Sequence, residues 1–243
     1  MRVEHNKTTG FSSPPGAPSP HLQREISADE LAALARRLYV RGPYLMRKMM
    51  HYRIRICPFE SLIPHVAPGA SVLDVGCGAG LFLALLAGAV PGVAGVGFDS
   101  SRPAIDTALQ MTEQAKLAGL NADLRFLRLD VAAPWPDGYF DVVNLVDVMH
   151  HVPRVHQKSV IQQATEKVKP GGVLLYKDMA DQPFFPASMN RLHDLVLARQ
   201  WINYLPIRLV DEWAGEFGMA PAHAETMSRL WYRHELRIFR KSP

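Results

Sequence analysis

The run Val72-Leu73-Asp74-Val75-Gly76-Cys77-Gly78-Ala79-Gly80 constrains this chain more than any other. Its apolar start has the length and branching of a buried strand, its glycines mark a tight turn, and the segment near 79–88 that follows reads as a helix. A strand that turns through glycines into a helix opens a βαβ unit, and hence a parallel sheet. Gly76 and Gly78 carry no Cβ, so a ligand can lie against bare backbone there, beside the unpaired N–H groups of the helix start. Two acids follow at the spacing of the next strand ends: Asp99 closes Gly95-Val96-Gly97-Phe98-Asp99, and Asp130 closes Phe126-Leu127-Arg128-Leu129-Asp130. A glycine turn with carboxylates on the two neighbouring strands describes a nucleoside pocket.

Further along, apolar runs and helical segments alternate. Strands are predicted near 71–76, 93–98, 123–127, 140–146 and 172–178, and helices near 79–88, 101–118 and 154–168. Pro103 in a first turn and Gly119 just past an end suit a helix between them. A helix over 208–217, stopped by Gly218, precedes two strands near 222–230 and 233–240 that can pair as a hairpin. Ahead of the sheet, Ser27 and Glu30 make a capping box for a helix carrying Leu31, Leu34 and Leu38. Gly42-Pro43 breaks it, and a second helix from Tyr44 to Ile56 stops before Pro58. Residues 1–25, centred on Ser12-Ser13-Pro14-Pro15-Gly16, are too polar to offset their ordering entropy and are predicted to be a disordered tail, with 26–57 a helical cover. At 243 residues and 48% hydrophobic, the chain suffices for one α/β domain with this appendage.

The two cysteines, Cys57 and Cys77, make a disulfide framework an unsuitable reading and point to a reducing cytoplasm. The longest apolar run is too short for a transmembrane segment, and no signal-peptide pattern is expected. A net charge of +4 is too mild to imply nucleic acid. One basic cluster, Arg36, Arg37, Arg41, Arg47, Lys48, Arg53 and Arg55, reads first as a solvated helix face. An acidic substrate, a peripheral membrane contact or a partner, a homodimer included, stays open for it.

Dinucleotide-binding turns follow G-x-G-x-x-G/A, which would put a small residue where Leu81 stands. Here the third glycine comes one place earlier, at Gly80. That G-x-G-x-G form, with Asp99 and Asp130, resembles the class I S-adenosylmethionine (SAM)-dependent methyltransferases over roughly residues 60–241. Phe140-Asp141-Val142-Val143 through His150-His151-Val152 is similar to ubiquinone and menaquinone C-methyltransferases, and Lys169-Pro170-Gly171-Gly172 matches as well. The resemblance implies a methyltransferase domain over 58–243: an α/β Rossmann-like seven-stranded sheet, mostly parallel, closed by a C-terminal antiparallel hairpin. It implies SAM as cofactor, with Asp99 on the ribose hydroxyls, Asp130 on the adenine amino group, and the Val131 N–H facing the ring. Asp74 would hold the methionine end, carbonyls near Leu145 and Val146 would line the opposite side, and Gly76, Cys77, Gly78 and Ser100 would complete the contacts. The N-P-P-Y motif of nucleic-acid amino methyltransferases does not follow Asn144, so a small-molecule acceptor is expected.

For a hydroxyl acceptor, His150 or His151 is the candidate base, with at most one of two adjacent residues aimed at the reacting atom; the alternative is that both only orient the loop. Lys177 and Asp178 form a second candidate catalytic pair. Asp147 with Asp178 could chelate Mg²⁺, but an ion-paired arrangement with Lys177 is the preferred reading, and no metal is assigned. The aromatic insertion over 179–206 is expected to be a lid, with Phe184, Phe185, Trp201 and Tyr204, together with Asp147, against a hydrophobic or aromatic acceptor. O-methylation is the favoured reading. C- or N-methylation, a catalytically silent SAM-binding partner protein, and a nucleotide-dependent oxidoreductase are the rivals.

Overall fold

The computed structural model describes residues 26–120, 122–180, 203–229 and 232–243. The tail expected over 1–25, and Phe184, Phe185 and Trp201 of the expected lid, lie outside the described residues. Helices α1 (Ala28–Leu38), α2 (Tyr44–Ile56) and α3 (Phe59–Leu62) come first. They are followed by β1 (Ser71–Val75), α4 (Leu81–Ala89), β2 (Ala94–Asp99), α5 (Arg102–Leu117), β3 (Asp123–Arg128) and β4 (Phe140–Val146). The chain continues with α6 (Arg154–Lys167), β5 (Val168–Met179), α7 (Ile207–Glu216), β6 (Met219–Arg229) and β7 (Tyr232–Lys241). None of the described helices is long and apolar enough to cross a membrane.

The seven strands form one sheet in the order β3-β2-β1-β4-β5-β7-β6. The first five are parallel, and β7 inserts antiparallel between β5 and β6. Alternation along the strands decides the layering. Val72, Val142 and Leu175 join the cluster under α1, α4 and α5, whereas Leu73, Val143 and Leu174 join the one under α6 and α7. Helices therefore cover both faces. The chain direction of the crossovers reverses between β1 and β4, which opens a crevice at their carboxyl ends.

Two boundaries differ from the sequence expectation. β5 begins at Val168, four residues early, because Val168 pairs with Phe140 before a register shift carries the ladder on to Val173 opposite Val142. Gly172 sits so close to the carbonyl of Asp141 that an added Cβ would lie 2.8 Å from it, so the Lys169-Pro170-Gly171-Gly172 turn is absorbed into an irregular strand. β6 likewise starts at Met219, with a shift between Pro221 and His223.

The N-terminal helices are continuous with the core. The Ser27–Glu30 capping box forms, with the Ser27 N–H donating to Glu30 Oε2 at 2.9 Å. Leu31, Ala35 and Leu38, at i, i+4 and i+7, are buried in the same cluster as α4. Leu34 fills the notch over Gly88, where a Cβ would lie 2.3 Å from it. Tyr39, also buried, donates its hydroxyl to the carbonyl of Ala79 at 2.7 Å, directly on the glycine turn. Fully burying a leucine stabilises by about 1.5–3 kcal/mol, so this packing makes α1 a structural layer.

Candidate active site

A cavity of about 890 Å³ opens at the crevice, lined by the glycine turn, the ends of β2, β3 and β4, the loop after β4, and one face of α2. Gly76, Gly78 and Gly80 all take left-handed backbone, with φ of 65°, 54° and 75°. Their reasons differ. A Cβ on Gly76 would lie 2.2 Å from Val148 and one on Gly80 would lie 2.6 Å from Phe126, so those two are packed by protein, while a Cβ on Gly78 would meet nothing within 4 Å. The space over Gly78 is cavity.

Asp99 fastens this turn. Its Oδ2 accepts from the Gly78 N–H at 3.0 Å and its Oδ1 from the Ser101 N–H at 2.8 Å. A carboxylate has about four lone-pair sites, so Asp99 keeps capacity for a pair of ribose hydroxyls. On the adjacent strand end, Asp130 Oδ1 accepts from the Ala132 N–H at 2.9 Å, and the Val131 carbonyl accepts from Trp135 Nε1 at 2.9 Å, so the Leu129–Ala132 loop is held with its edge to the cavity. Asp74 lies at the floor, 3% exposed, and accepts from Asn144 Nδ2 at 2.5 Å. Burial pushes its carboxyl up to about 7, against the opposing pull of Asn144 and Arg53. An open cradle at a glycine turn, two spare carboxylate edges and a buried acid suited to an ammonium fit a nucleoside bearing an amino acid. Cys77, Ser100 and Val146 line the same cavity, whereas Leu145, expected beside the cofactor, is wholly buried in the opposite core layer and does not line it.

The other end is built by side chains from distant elements. Asp147, the only described non-glycine residue with positive φ, at 55°, turns its carboxylate onto Lys177 Nζ at 2.6 Å and Arg53 at 2.8 Å. Burial alone would raise the Asp147 carboxyl, but Lys177 and Arg53 outweigh it and hold it well below the usual range. Burial would likewise lower Lys177, yet Asp147 keeps it raised and charged. Asp178 faces a different partner: His150 Nδ1 lies 2.5 Å from its Oδ1, with the two side chains 4% and 6% exposed. Its oxygens also accept from the backbone N–H groups of His150 at 3.2 Å and Met179 at 2.8 Å. Asp147 and Asp178 thus serve separate pairs and share no ligand position.

The His151 ring lies tilted at 49° against that of His150, with centroids 4.0 Å apart, but stands toward the open side. The protein around it, and next His150, lower its value to about 4, making it a weaker base than an unperturbed imidazole near neutral pH. Tyr204 is buried against Met179, one layer behind the cavity wall, and the neighbouring Asn203 N–H donates to the His150 carbonyl at 2.8 Å. The sequence pointed to the N-terminal helices as a cover over the acceptor but singled out, as cavity lining, none of the α2 residues found there: Met46, Met49, Met50, Arg53 and Ile56. Their spacing is that of one helix face, so periodicity carried the signal. His234, buried and brought in by β7, lines it too, its value pushed down to about 3 by burial and then by Lys177.

Comparison with known proteins agrees with this geometry. The pattern of the methyltransferase domain family matches residues 46–224. The ubiquinone biosynthesis O-methyltransferase of Chromobacterium violaceum is 30% identical over 186 residues, 70% of this chain and 72% of that protein. That of Methylococcus capsulatus is 32% identical over 111 residues, 46% of this chain, and the match spans only 44% of that protein's length. Among solved structures, magnesium protoporphyrin IX methyltransferase from Synechocystis with bound S-adenosylhomocysteine superposes with a TM-score of 0.63 at 19% identity, covering 86% of this chain and 93% of that one. The chain therefore belongs to the methyltransferase domain family, as a class I enzyme of the SAM-dependent type.

Proposed function

We propose that this chain methylates the hydroxyl of a small, lipophilic aromatic acceptor, with His150 as general base and Asp178 as the residue that orients it. The carrying observation is the buried hydrogen bond between His150, which lines the cavity, and Asp178 behind it. With the Nδ1 proton directed at a carboxylate, Nε2 is the basic nitrogen, and the carboxylate stabilises the imidazolium that forms when the acceptor's proton arrives. The tautomer follows from this hydrogen-bond assignment. Bound SAM supplies a methyl carbon activated by a sulfonium. Gly78, Asp99, Asp130 and Asp74 would hold it with that carbon toward the acceptor, and His150 Nε2 would take the proton that the acceptor hydroxyl gives up.

The α2 methionines with Phe59 and Phe82 form an apolar wall that suits an aromatic ring and excludes water, and positioning of this kind can supply much of the acceleration. The names of the ubiquinone biosynthesis relatives support oxygen as the methylated atom. A test is a panel of phenols, amines and carbon nucleophiles incubated with methyl-labelled SAM. Labelled phenol ethers are expected, with His150→Ala lowering turnover by about 10²-fold or more. Products methylated only at nitrogen or carbon would overturn the assignment.

A further inference from the structure

We propose that the α1–α2 turn and the outward face of α2 form a docking surface for anionic lipid, next to the mouth of the acceptor cavity. Residues 31–59 hold seven of the chain's lysines and arginines and no aspartate or glutamate, although the whole chain is only +4. The remainder of the chain is therefore net negative, and the molecule is electrically polarised toward this end. Arg53 is spent inward on Asp147, while Arg41, Lys48 and Arg55 are exposed.

Apolar side chains are exposed in the same place. Val40 (44%), Tyr44 (66%), Leu45 (73%) and Met49 (41%) are four of the nine large hydrophobic residues exposed among the described residues, and they fall within ten positions; the other five are spread over the rest of the chain. At roughly 100° per residue, Tyr44, Lys48, Leu45 and Met49 occupy an arc of about 140° on α2, and Arg55 returns to it near Tyr44. Lys48 Nζ lies 5.4 Å from the centre of the Tyr44 ring and Arg47 5.9 Å, so cations crowd round an aromatic residue able to sit among headgroups. Cations interleaved with exposed apolar and aromatic residues match a membrane surface on both counts: phosphates pair with the arginines and lysine, and the acyl boundary accepts Tyr44 and Leu45. An acidic soluble partner would use the charges but leave the apolar side chains in water.

Met49 is both exposed on this arc and part of the cavity wall. A lipophilic acceptor can thus pass from the bilayer into the site along α2; this delivery role rests on the acceptor reading above, whereas the docking itself does not.

The test is sedimentation of the full chain with phosphatidylcholine vesicles prepared with or without phosphatidylglycerol. Binding is expected only with phosphatidylglycerol, and it should weaken as salt rises, since charges beyond about 10 Å are screened at roughly 0.1 M. The triple variant Arg41→Glu, Lys48→Glu, Arg55→Glu should lower partitioning at least about tenfold, and Tyr44→Ser with Leu45→Ser should lower it at unchanged charge. Turnover of a water-soluble phenol should persist in both variants. No binding to either vesicle, equal binding to both, or unchanged binding by the charge-reversed variant would each overturn the proposal. Because sedimentation needs no acceptor, failure of the acceptor assignment would leave this result standing.

Discussion

Replacing Asp178 by asparagine isolates the role of charge in the base. In the native pair, Asp178 Oδ1 receives both His150 Nδ1 and the Met179 N–H, and Oδ2 receives only the His150 N–H at 3.2 Å. An asparagine therefore gains most by placing its carbonyl at the Oδ1 position, which preserves the histidine tautomer and sacrifices the longer bond. What disappears is the negative charge beside the nascent imidazolium, in a pair only 4% and 6% exposed. Hydrogen bonds to charged groups exceed neutral ones by about 1–2 kcal/mol, and each 1.36 kcal/mol is tenfold in rate. A kcat loss of roughly 5–30-fold follows, smaller than for His150→Ala. The ascending limb of the pH–rate profile should also move to lower pH, because a histidine without its anion is easier to deprotonate. The assay is labelled-methyl transfer to a phenol across pH, with SAM affinity by calorimetry and the melting temperature as controls. A folded, SAM-binding Asp178→Asn enzyme with kcat within about threefold of native and an unmoved limb would refute the dyad and leave His150 a structural residue.

Three further outcomes follow from the same geometry. Gly78→Ala should fold, at about 1–2 kcal/mol for a left-handed alanine, yet lose SAM affinity by calorimetry; Gly76→Ala, whose Cβ would meet Val148 at 2.2 Å, should instead depress the melting temperature, and the reverse pattern would contradict the cradle. Asp74, raised to about 7 from 3.8, favours the fold while protonated, so its contribution is complete below the unfolded value and is lost as pH rises through about 7; the deprotonated form is the one that attracts an ammonium, so SAM binding should tighten through that range and become pH-independent in Asp74→Asn. Lys177→Met strips a fully buried cation from Asp147 and should cost about 3–5 kcal/mol, read as a fall of roughly 10 °C in Tm, and a melting temperature within about 2 °C of native would show that Arg53 alone satisfies that carboxylate.

The glycine-turn end of the cavity was readable in the sequence as a cluster because it is made from backbone and from residues fixed by strand ends. Gly76, Gly78 and Gly80 are adjacent in sequence and in space, and Asp99 and Asp130 must fall next to them once β2 and β3 pair in parallel alongside β1. Register does the work that a long-range guess would otherwise have to do. The boundaries of β5 and β6 were not readable in the same way, since each depends on a register shift, against β4 for β5 and against β7 for β6, that no local residue pattern marks. Nor was the burial of α1: its capping box was evident, but whether Leu31 and Leu38 meet α4 or a bound acceptor is decided by the notch over Gly88.

The acceptor half resists sequence reading for a physical reason: its charges are paired across the sheet, and pairing decides what each can do. Lys177 and Asp178 are neighbours in sequence, but strand alternation sends one side chain to Asp147 and the other to His150. Read together they suggest one catalytic pair; read with their partners they are an ion pair and an acid that, on the proposed function, orients the base. Arg53 completes the division, because its guanidinium reaches from α2 to the end of β4 and ties the helix lining the cavity to the loop that carries His150. A displacement of α2 would therefore disturb Asp147 and, through the short turn from Asp147 to His150, the position of the base itself. The same helix carries the exposed basic and apolar arc. The proposed contact with a membrane surface at Tyr44 and Leu45 would thus be coupled to the His150 end of the cavity by one helix and one partly buried ion pair.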